Sequence, residues 1–269
     1  MSTDNVAFVG SIPENYDRYL GPVLFDPYAA DLVERLDVPA TASVLELACG
    51  TGIVTRRLRD CLGSNAKLIA TDLNEAMMNF AAPKFPPEEN IEWKQADATE
   101  LPFADQSFEA VICQFGLMFF PDKEKAARET YRVLKPGGVF LFNVWDAIER
   151  NDLTYAAKTI IENYFPDNPP DFYQVPFSFH DQHAIRSLLS GAGFREIQLS
   201  VVSLPAISPS ARDAAHGLIH GSPIITAIIE RDETKVPDIE AALAESIAWR
   251  FGTTPVRGGM QAIVCSAER

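Results

Sequence analysis

No stretch of this chain reaches the roughly 18 uncharged apolar residues that a membrane-crossing helix needs, so no membrane span is expected. Met1 to Asn5 have neither the basic start nor the apolar run of a signal peptide, and secretion is not expected either. Basic residues are scarce: 23 Lys and Arg stand against 37 Asp and Glu, a formal net charge of −14. An acidic surface repels phosphate backbones and anionic lipid, which disfavours nucleic acid as a bulk partner. The one short basic run, Arg56, Arg57 and Arg59, reads as the solvent face of a helix. Cysteine is sparse. Cys49, Cys61, Cys113 and Cys265 form no CxxC pair and show no regular spacing, so a disulfide framework is excluded and a reducing cytoplasm is expected. Two nucleotide signatures are missing as well. The chain has no GxGxxG at its glycine-rich turn, and no Lys-Ser/Thr follows that turn as a P-loop requires. A dinucleotide dehydrogenase and an NTPase both lose ground. Internal repeats and low-complexity segments are absent.

What is present is a globular composition, 47% hydrophobic over 269 residues, enough for one large domain or one domain with an elaboration. From about residue 43 the pattern alternates strand and helix. Strands are predicted at 43–47, 67–72, 91–95, 108–114 and 139–144. Asn74 is placed to cap one intervening helix, and another starts near Asp122 and stops at Lys135-Pro136-Gly137-Gly138. Strands spaced by helices mean βαβ units and a parallel sheet. Past Trp145 the regularity breaks. A Pro-rich turn follows at 165–170, a core helix at 181–191 and a strand at 194–204. Residues 206–254 read as mostly helical with caps at Ser208 and Asp238, and 260–265 as a final strand. Residues 1–42, 146–179 and 206–254 are therefore read as additions over one face of the sheet.

The strongest local signal is Val44-Leu45-Glu46-Leu47-Ala48-Cys49-Gly50-Thr51-Gly52, a strand that turns through two glycines into a helix. Such a turn exposes backbone N–H groups and lets a ligand approach where a side chain would block it. Carboxylates follow at the ends of the next strands. Asp72 is placed to accept both hydroxyls of a ribose, and Asp97 to bind an adenine amino group. Each has a plain alternative, a helix cap for Asp72 and a turn cap for Asp97. Together with Glu46 and the glycine turn they favour a ligand crevice at the carboxyl ends of the strands.

These residues resemble a class I S-adenosylmethionine-dependent methyltransferase, in the branch of the ubiquinone/menaquinone C-methyltransferases and other small-molecule enzymes. The resemblance rests on Glu46 to Gly52, on Asp72, and on Asp97-Ala98-Thr99-Glu100-Leu101-Pro102-Phe103. It continues through Phe108-Glu109-Ala110-Val111 and Arg132 to Gly138, covering about residues 43–145 in order and spacing. It implies a Rossmann-like, doubly wound α/β fold whose seven-stranded sheet ends in an antiparallel strand, here placed at 261–265, with helical lid additions. Residues 1–42 would form a helical cap over the cofactor site, and 43–269 the methyltransferase domain. It also implies roles. Gly50 and Gly52, with Ala48, bring backbone against the methionine part of S-adenosyl-L-methionine, beside Glu46. Asp72 holds the ribose, Leu73 and Met77 flank the adenine, and Asp97 with Ala98 reads its edge. Gln114 borders the sulfonium and methyl, with Phe115 packed beside it. Tyr16 and Tyr19 are candidates to cover the cofactor, and their π faces suit a cation. The glycines of Leu134 to Gly138 belong to a structural turn and are not counted in the site.

Methyl transfer from a sulfonium is an in-line displacement, and the protein mainly aligns the partners and excludes water. A base is needed only where the acceptor loses a proton. His180, just after the irregular region, is the first candidate; His183, His216 and His220 are the others. His216 and His220 lie four apart on one predicted helix face, but a zinc site needs further ligands and no matching signature is present, so no metal is expected. Phe165, Phe172, Tyr173, Phe177, Phe179, Ile224, Ile225 and Trp249 would build an apolar lid that suits a small, fairly hydrophobic acceptor. Whether carbon, nitrogen or oxygen is methylated is left open, as is the oligomeric state. The competing readings are a non-catalytic S-adenosylmethionine-binding regulator and a methyltransferase acting on protein or RNA.

Overall fold

The computed structural model describes residues 8–269, so the signal-peptide argument on Met1 to Asn5 falls outside the described residues. Seven strands form one sheet: β1 (Ser43–Leu47), β2 (Lys67–Asp72), β3 (Ile91–Gln95), β4 (Phe108–Gln114), β5 (Leu134–Trp145), β6 (Arg195–Ser208) and β7 (Val256–Glu268). Their order is β3-β2-β1-β4-β5-β7-β6. β7 pairs antiparallel with both β5 and β6, while β1 to β5 pair parallel. The antiparallel last strand is as expected, though longer than 261–265. Among the described residues no helix is long and apolar enough to cross a membrane.

The inner strands are apolar on both faces because helices cover both. Val44, Leu68, Ile112 and Leu141 join a cluster with Ala29 and Leu32 of α2 (Asp26–Glu34) and Val54 and Leu58 of α3 (Ile53–Cys61). Leu45, Ile69, Val111 and Phe140 belong to the larger cluster, with Ala126 of α5 (Lys123–Val133) and Ile185 and Leu189 of α7 (Gln182–Ala192). Helix starts follow the side chains that can cap them. Asn74 accepts from Ala76 N–H ahead of α4 (Glu75–Ala81), Asp122 from Lys125 N–H, and Asp181 from His183 and Ala184 N–H.

Register positions the site. Leu47 pairs with Thr71 on one side and Cys113 on the other, so β1, β2 and β4 end level. Ala48, Asp72 and Gln114 therefore emerge side by side at one edge of the sheet.

Three sequence expectations are corrected. Residues 135–138 do stop helix α5, yet they sit within β5 as a bulge: Leu134 pairs with Phe108, and pairing resumes only at Val139 with Ala110. The β6 strand extends through Ser208, whose side chain is buried in the ladder end, so the helix α8 (Ala211–His220) is capped by Ser210 and not by Ser208. Asp238 lies inside the first turn of α10 (Val236–Phe251), where its charge suits the helix dipole, rather than capping it.

Ahead of the sheet, α1 (Ile12–Asn15) runs into a π-helix, Tyr16–Phe25, and then into α2. The π-helix contains Pro22, which has no N–H to give an α-helical ladder. It packs on α8, where a Cβ at Gly217 would come within 2.7 Å of Tyr19 Cβ. Together with α6 (Asp152–Tyr164), α9 (Ile224–Asp232) and α10, α8 forms a layer beyond the strand ends.

Candidate active site

The level strand ends open into a cavity of about 380 Å³. The β1 turn contributes Ala48 and Gly50, the end of β2 contributes Asp72, Leu73 and Asn74, and Met77 follows from α4. Ala96 to Ala98 lie beyond β3, Gln114 ends β4, and Phe115 and Gly116 follow it. The π-helix supplies Tyr16, Leu20, Leu24 and Phe25, and the segments 146–179 and 206–254 supply Thr154, Phe172, Tyr173, Pro176, Phe177, Leu218 and Ser222. A narrow recess adjoins it, lined by Tyr16, Glu46, Ala48 to Thr51 and Gln114.

Backbone conformation at this edge is unusual in a consistent way. Ala48 (φ 54°) and Phe115 (φ 48°) are left-handed although neither is glycine. Such strain costs on the order of 1–3 kcal/mol per residue and persists where the surroundings over-determine it. At Phe115 the constraint is visible. Its N–H donates to Asn143 Oδ1 at 3.0 Å, Asn143 Nδ2 donates to Gln114 Oε1 at 3.4 Å, and its ring stacks on Trp145 with centroids 3.8 Å apart. Gly50 is also left-handed (φ 56°), and a Cβ there would meet only Met77 Cε at 3.7 Å.

Asp72 organises the β1–β2 crevice. Its Oδ2 accepts from Gly50 N–H and its Oδ1 from Asn74 N–H, both at 2.8 Å. Burial pushes its carboxyl pKa up against the pull of those N–H donors. A carboxylate offers about four lone-pair sites, so two remain for a ligand. Glu46, 2% exposed, accepts from Thr55 Oγ1 at 2.6 Å. Burial raises its pKa to about 8, despite that hydrogen bond, with Asp72 adding to the rise. Thr51 Oγ1, in the same recess, is buried and has no protein partner.

A methyltransferase-domain profile matches residues 45–142, the span of β1 to β5 that builds this edge. The chain is 30% identical over 205 residues to the demethylmenaquinone methyltransferase of Staphylococcus epidermidis, covering 70% of this chain and 83% of that one. It is 30% identical over 184 residues to the ubiquinone/menaquinone biosynthesis C-methyltransferase of Proteus mirabilis, covering 61% and 71%. The chain belongs to the class I S-adenosylmethionine-dependent methyltransferases. Its branch is that of the ubiquinone/menaquinone enzymes, and its reaction is methyl transfer from S-adenosylmethionine to a small molecule. The fold is shared more widely: phosphoethanolamine N-methyltransferase 2 of Haemonchus contortus, solved with S-adenosyl-L-methionine, superposes with a TM-score of 0.63 at 16% identity, over 99% of this chain and 58% of that one.

Of the residues singled out in the methyltransferase's sequence, Tyr16, Ala48, Gly50, Asp72, Leu73, Met77, Asp97, Ala98, Gln114 and Phe115 line the cavity, and Glu46 lines the recess. Asp97 also caps its own turn, its Oδ1 accepting from Thr99 N–H and Oγ1. Three positions fall elsewhere. Gly52 is the left-handed N-cap of α3 (φ 85°), and a Cβ there would lie 3.0 Å from the Phe85 ring, so it serves packing. Tyr19 turns to α8, where its ring meets His216 edge-on at 4.8 Å. His180 is exposed, and its Nδ1 lies 2.8 Å from Phe177 O, so the candidate base is outside the cavity. Among the described residues no histidine lines the cavity.

His216 and His220 do share a helix face, and Glu240 of α10 meets both, at 3.0 Å each. Burial pushes the Glu240 carboxyl up, but the hydrogen bonds from His220 and His216 outweigh it and hold it below its ordinary range. The three ligand atoms lie within 4.8 Å of one another. The carboxylate comes from a distant helix, so spacing along the sequence could not reveal it.

Sequence reasoning missed Asn143, Ser222 and the π-helix wall. Asn143 left a signal, a lone amide inside an otherwise apolar strand, fully buried. Ser222 left none.

Proposed function

We propose that S-adenosylmethionine lies along the strand ends, with its methionine part toward the Glu46 recess, and that a small, largely apolar acceptor lies against the lid. Asp72 carries this reading: a half-buried carboxylate at the cavity, oriented by backbone N–H groups including those of Gly50 and Asn74, is placed to receive a diol. Leu73 and Met77 would flank the adenine, and Asp97 and Ala98 would meet its edge. In the recess, Glu46 would face the ammonium group, and the unpartnered Thr51 hydroxyl and the turn's N–H groups would meet the polar tail. Gln114, held by Phe25 O and Asn143, and Phe115 would border the reacting centre.

When bound, S-adenosylmethionine supplies a methyl group on a sulfonium, with a neutral thioether as leaving group. The chain's part is alignment and exclusion of water. Phe25, Phe115, Trp145 and Phe177 form a continuous aromatic wall, with Phe115 and Trp145 stacked and Phe177 stacked on Trp145 at 6.1 Å. The π-helix segment of residues 1–42 would act as a cap, and the segments at 146–179 and 206–254 as the acceptor lid. Three of the four free cysteines are buried, which suits a reducing cytoplasm. The net charge of −14 argues against nucleic acid as acceptor.

Calorimetric titration with S-adenosylmethionine, S-adenosylhomocysteine and NADH tests the cofactor placement. Binding of the first two and not the third is expected, and a clear weakening of that binding in Asp72→Ala. Tight binding that survives in Asp72→Ala would overturn the assignment of the ribose to Asp72.

A further inference from the structure

The sequence offers two metal ligands, His216 and His220, and the fold brings a third. Both histidines stand on one face of α8, four residues apart, with their rings stacked at a centroid distance of 4.4 Å. Glu240 of α10 reaches between them. One of its carboxylate oxygens lies 3.0 Å from His216 Nδ1 and the other 3.0 Å from His220 Nε2. The three candidate ligand atoms fall within 4.8 Å of one another. No lysine or arginine competes for the carboxylate, whose ion pairs among the described residues are with these two rings. The side chains are 33%, 25% and 25% exposed, so an ion can enter from solvent.

The donor set selects the ion. Two imidazole nitrogens and one carboxylate oxygen, with no thiolate, suit zinc, whereas magnesium and calcium take oxygen ligands. Bonds of about 2.0–2.2 Å to a tetrahedral ion set ligand atoms roughly 3.3–3.5 Å apart, so the cluster closes with about an ångström of side-chain adjustment. We propose that His216, His220 and Glu240 form a zinc site, with water completing the coordination, that clamps α8 to α10. Without the ion each ring turns an N–H toward Glu240. With it, that nitrogen gives its lone pair to the metal. Its proton moves to the ring's second nitrogen, which makes no bond to protein among the described residues, or from a doubly protonated ring to water. The ion is a brace and takes no part in methyl transfer, since none of the three residues lines the cavity. Leu218, two positions from either histidine, lies on the opposite side of α8 and reaches the cavity wall. The clamp therefore bears on the layer that carries this wall, because α8 packs on the π-helix and α10 on α6.

The test titrates zinc into the full chain, free of any histidine tag, in competition with a chromophoric chelator, and repeats the titration with magnesium. One equivalent of zinc should bind with a Kd of about 10 µM or tighter, and magnesium should not bind. His216→Ala, His220→Ala and Glu240→Gln should each weaken zinc binding by about tenfold or more. Cys61→Ser, which removes the exposed thiol, should bind as the wild type does. Zinc held adventitiously, by Cys61 or by the exposed His180 and His183, would instead survive the α8 and α10 variants and overturn the proposal. A wild-type Kd weaker than about 10 µM would overturn it too. Should the histidine variants fail to fold, Glu240→Gln, which keeps the side chain's shape, decides alone. Hydrogen exchange reads the clamp itself: zinc should slow amide exchange in α8 and α10 of the wild type and not in Glu240→Gln, and unchanged exchange in the zinc-loaded wild type would strike the bracing role.

Discussion

Two carboxylates near the ends of β1 and β2, Glu46 buried and Asp72 half-buried, are partly or wholly withdrawn from water, and each answers to different neighbours. Asp72 is held by N–H donors, so removing it loses charge-assisted bonds to a ribose; Asp72→Ala should weaken S-adenosylhomocysteine binding by roughly 1–3 kcal/mol, read by calorimetry. Glu46, with a pKa near 8, is largely protonated at neutral pH in the ligand-free protein. An ammonium group beside it favours the carboxylate, so cofactor affinity should rise with pH up to about 8 and binding should release a proton. Titrations in buffers of different ionisation enthalpy measure that release, and Glu46→Gln should abolish it. Stability carries the opposite sign. The folded chain binds this proton more tightly than the unfolded one, so the contribution is complete below the ordinary 4.5 and is lost as pH rises toward 8. Melting temperature should therefore fall across that window relative to Glu46→Gln. Both stand out in the sequence as carboxylates near strand ends beside a glycine turn, and the fold brings them to the cavity and its recess. Where His180 falls could not be read in advance, because an exposed histidine beside the cavity and one inside it look the same in the sequence.

The elements legible in advance were those with local signatures. Asn74, Asp122 and Asp181 announce helices by the caps they provide, and β4 announces itself by unbroken apolarity. The π-helix had no such signature: Pro22 interrupts it, and the spacing of its cavity-facing Tyr16, Leu20 and Leu24, four apart, is one an α-helix would show as well. Its seat on α8 depends on Gly217 having no side chain. Gly217→Ala would force the two apart, and overpacking of this kind costs typically about 1–3 kcal/mol, measurable by urea unfolding. Because the same two helices carry Leu20, Leu24 and Leu218 into the cavity wall, affinity for a small apolar probe of the cavity should fall in this variant as well. The Glu240 carboxylate, shared by two histidines, ties α8 to α10 and holds the other side of that wall.

Across the whole molecule, 37 acidic side chains against 23 basic ones set a field that reaches the cavity mouth. S-adenosylmethionine carries one more positive charge than S-adenosylhomocysteine, and only the former should feel that field strongly. Raising salt from about 10 mM to about 150 mM, which shortens the Debye length to roughly 8 Å, should weaken binding of S-adenosylmethionine and leave S-adenosylhomocysteine nearly unchanged. Calorimetry at the two concentrations decides it. This balance was readable from composition alone, and Phe172, Tyr173 and Phe177 of the cavity wall from their apolar cluster, whereas Leu218 and Ser222 were not, since they join that wall from a segment distant in sequence.

The placing of β7 bears on how the chain comes off the ribosome. β1 to β5, which hold every strand end of the cofactor crevice, are all synthesised by Trp145, but β6 has no partner other than β7, which spans Val256–Glu268. The nascent chain can thus assemble the crevice early, while β6 and the helices between it and β7 wait for the final stretch to be threaded between β5 and β6. Until then β5 presents an open edge, and nascent chains stalled short of Val256 are the ones that would need a chaperone to cover it.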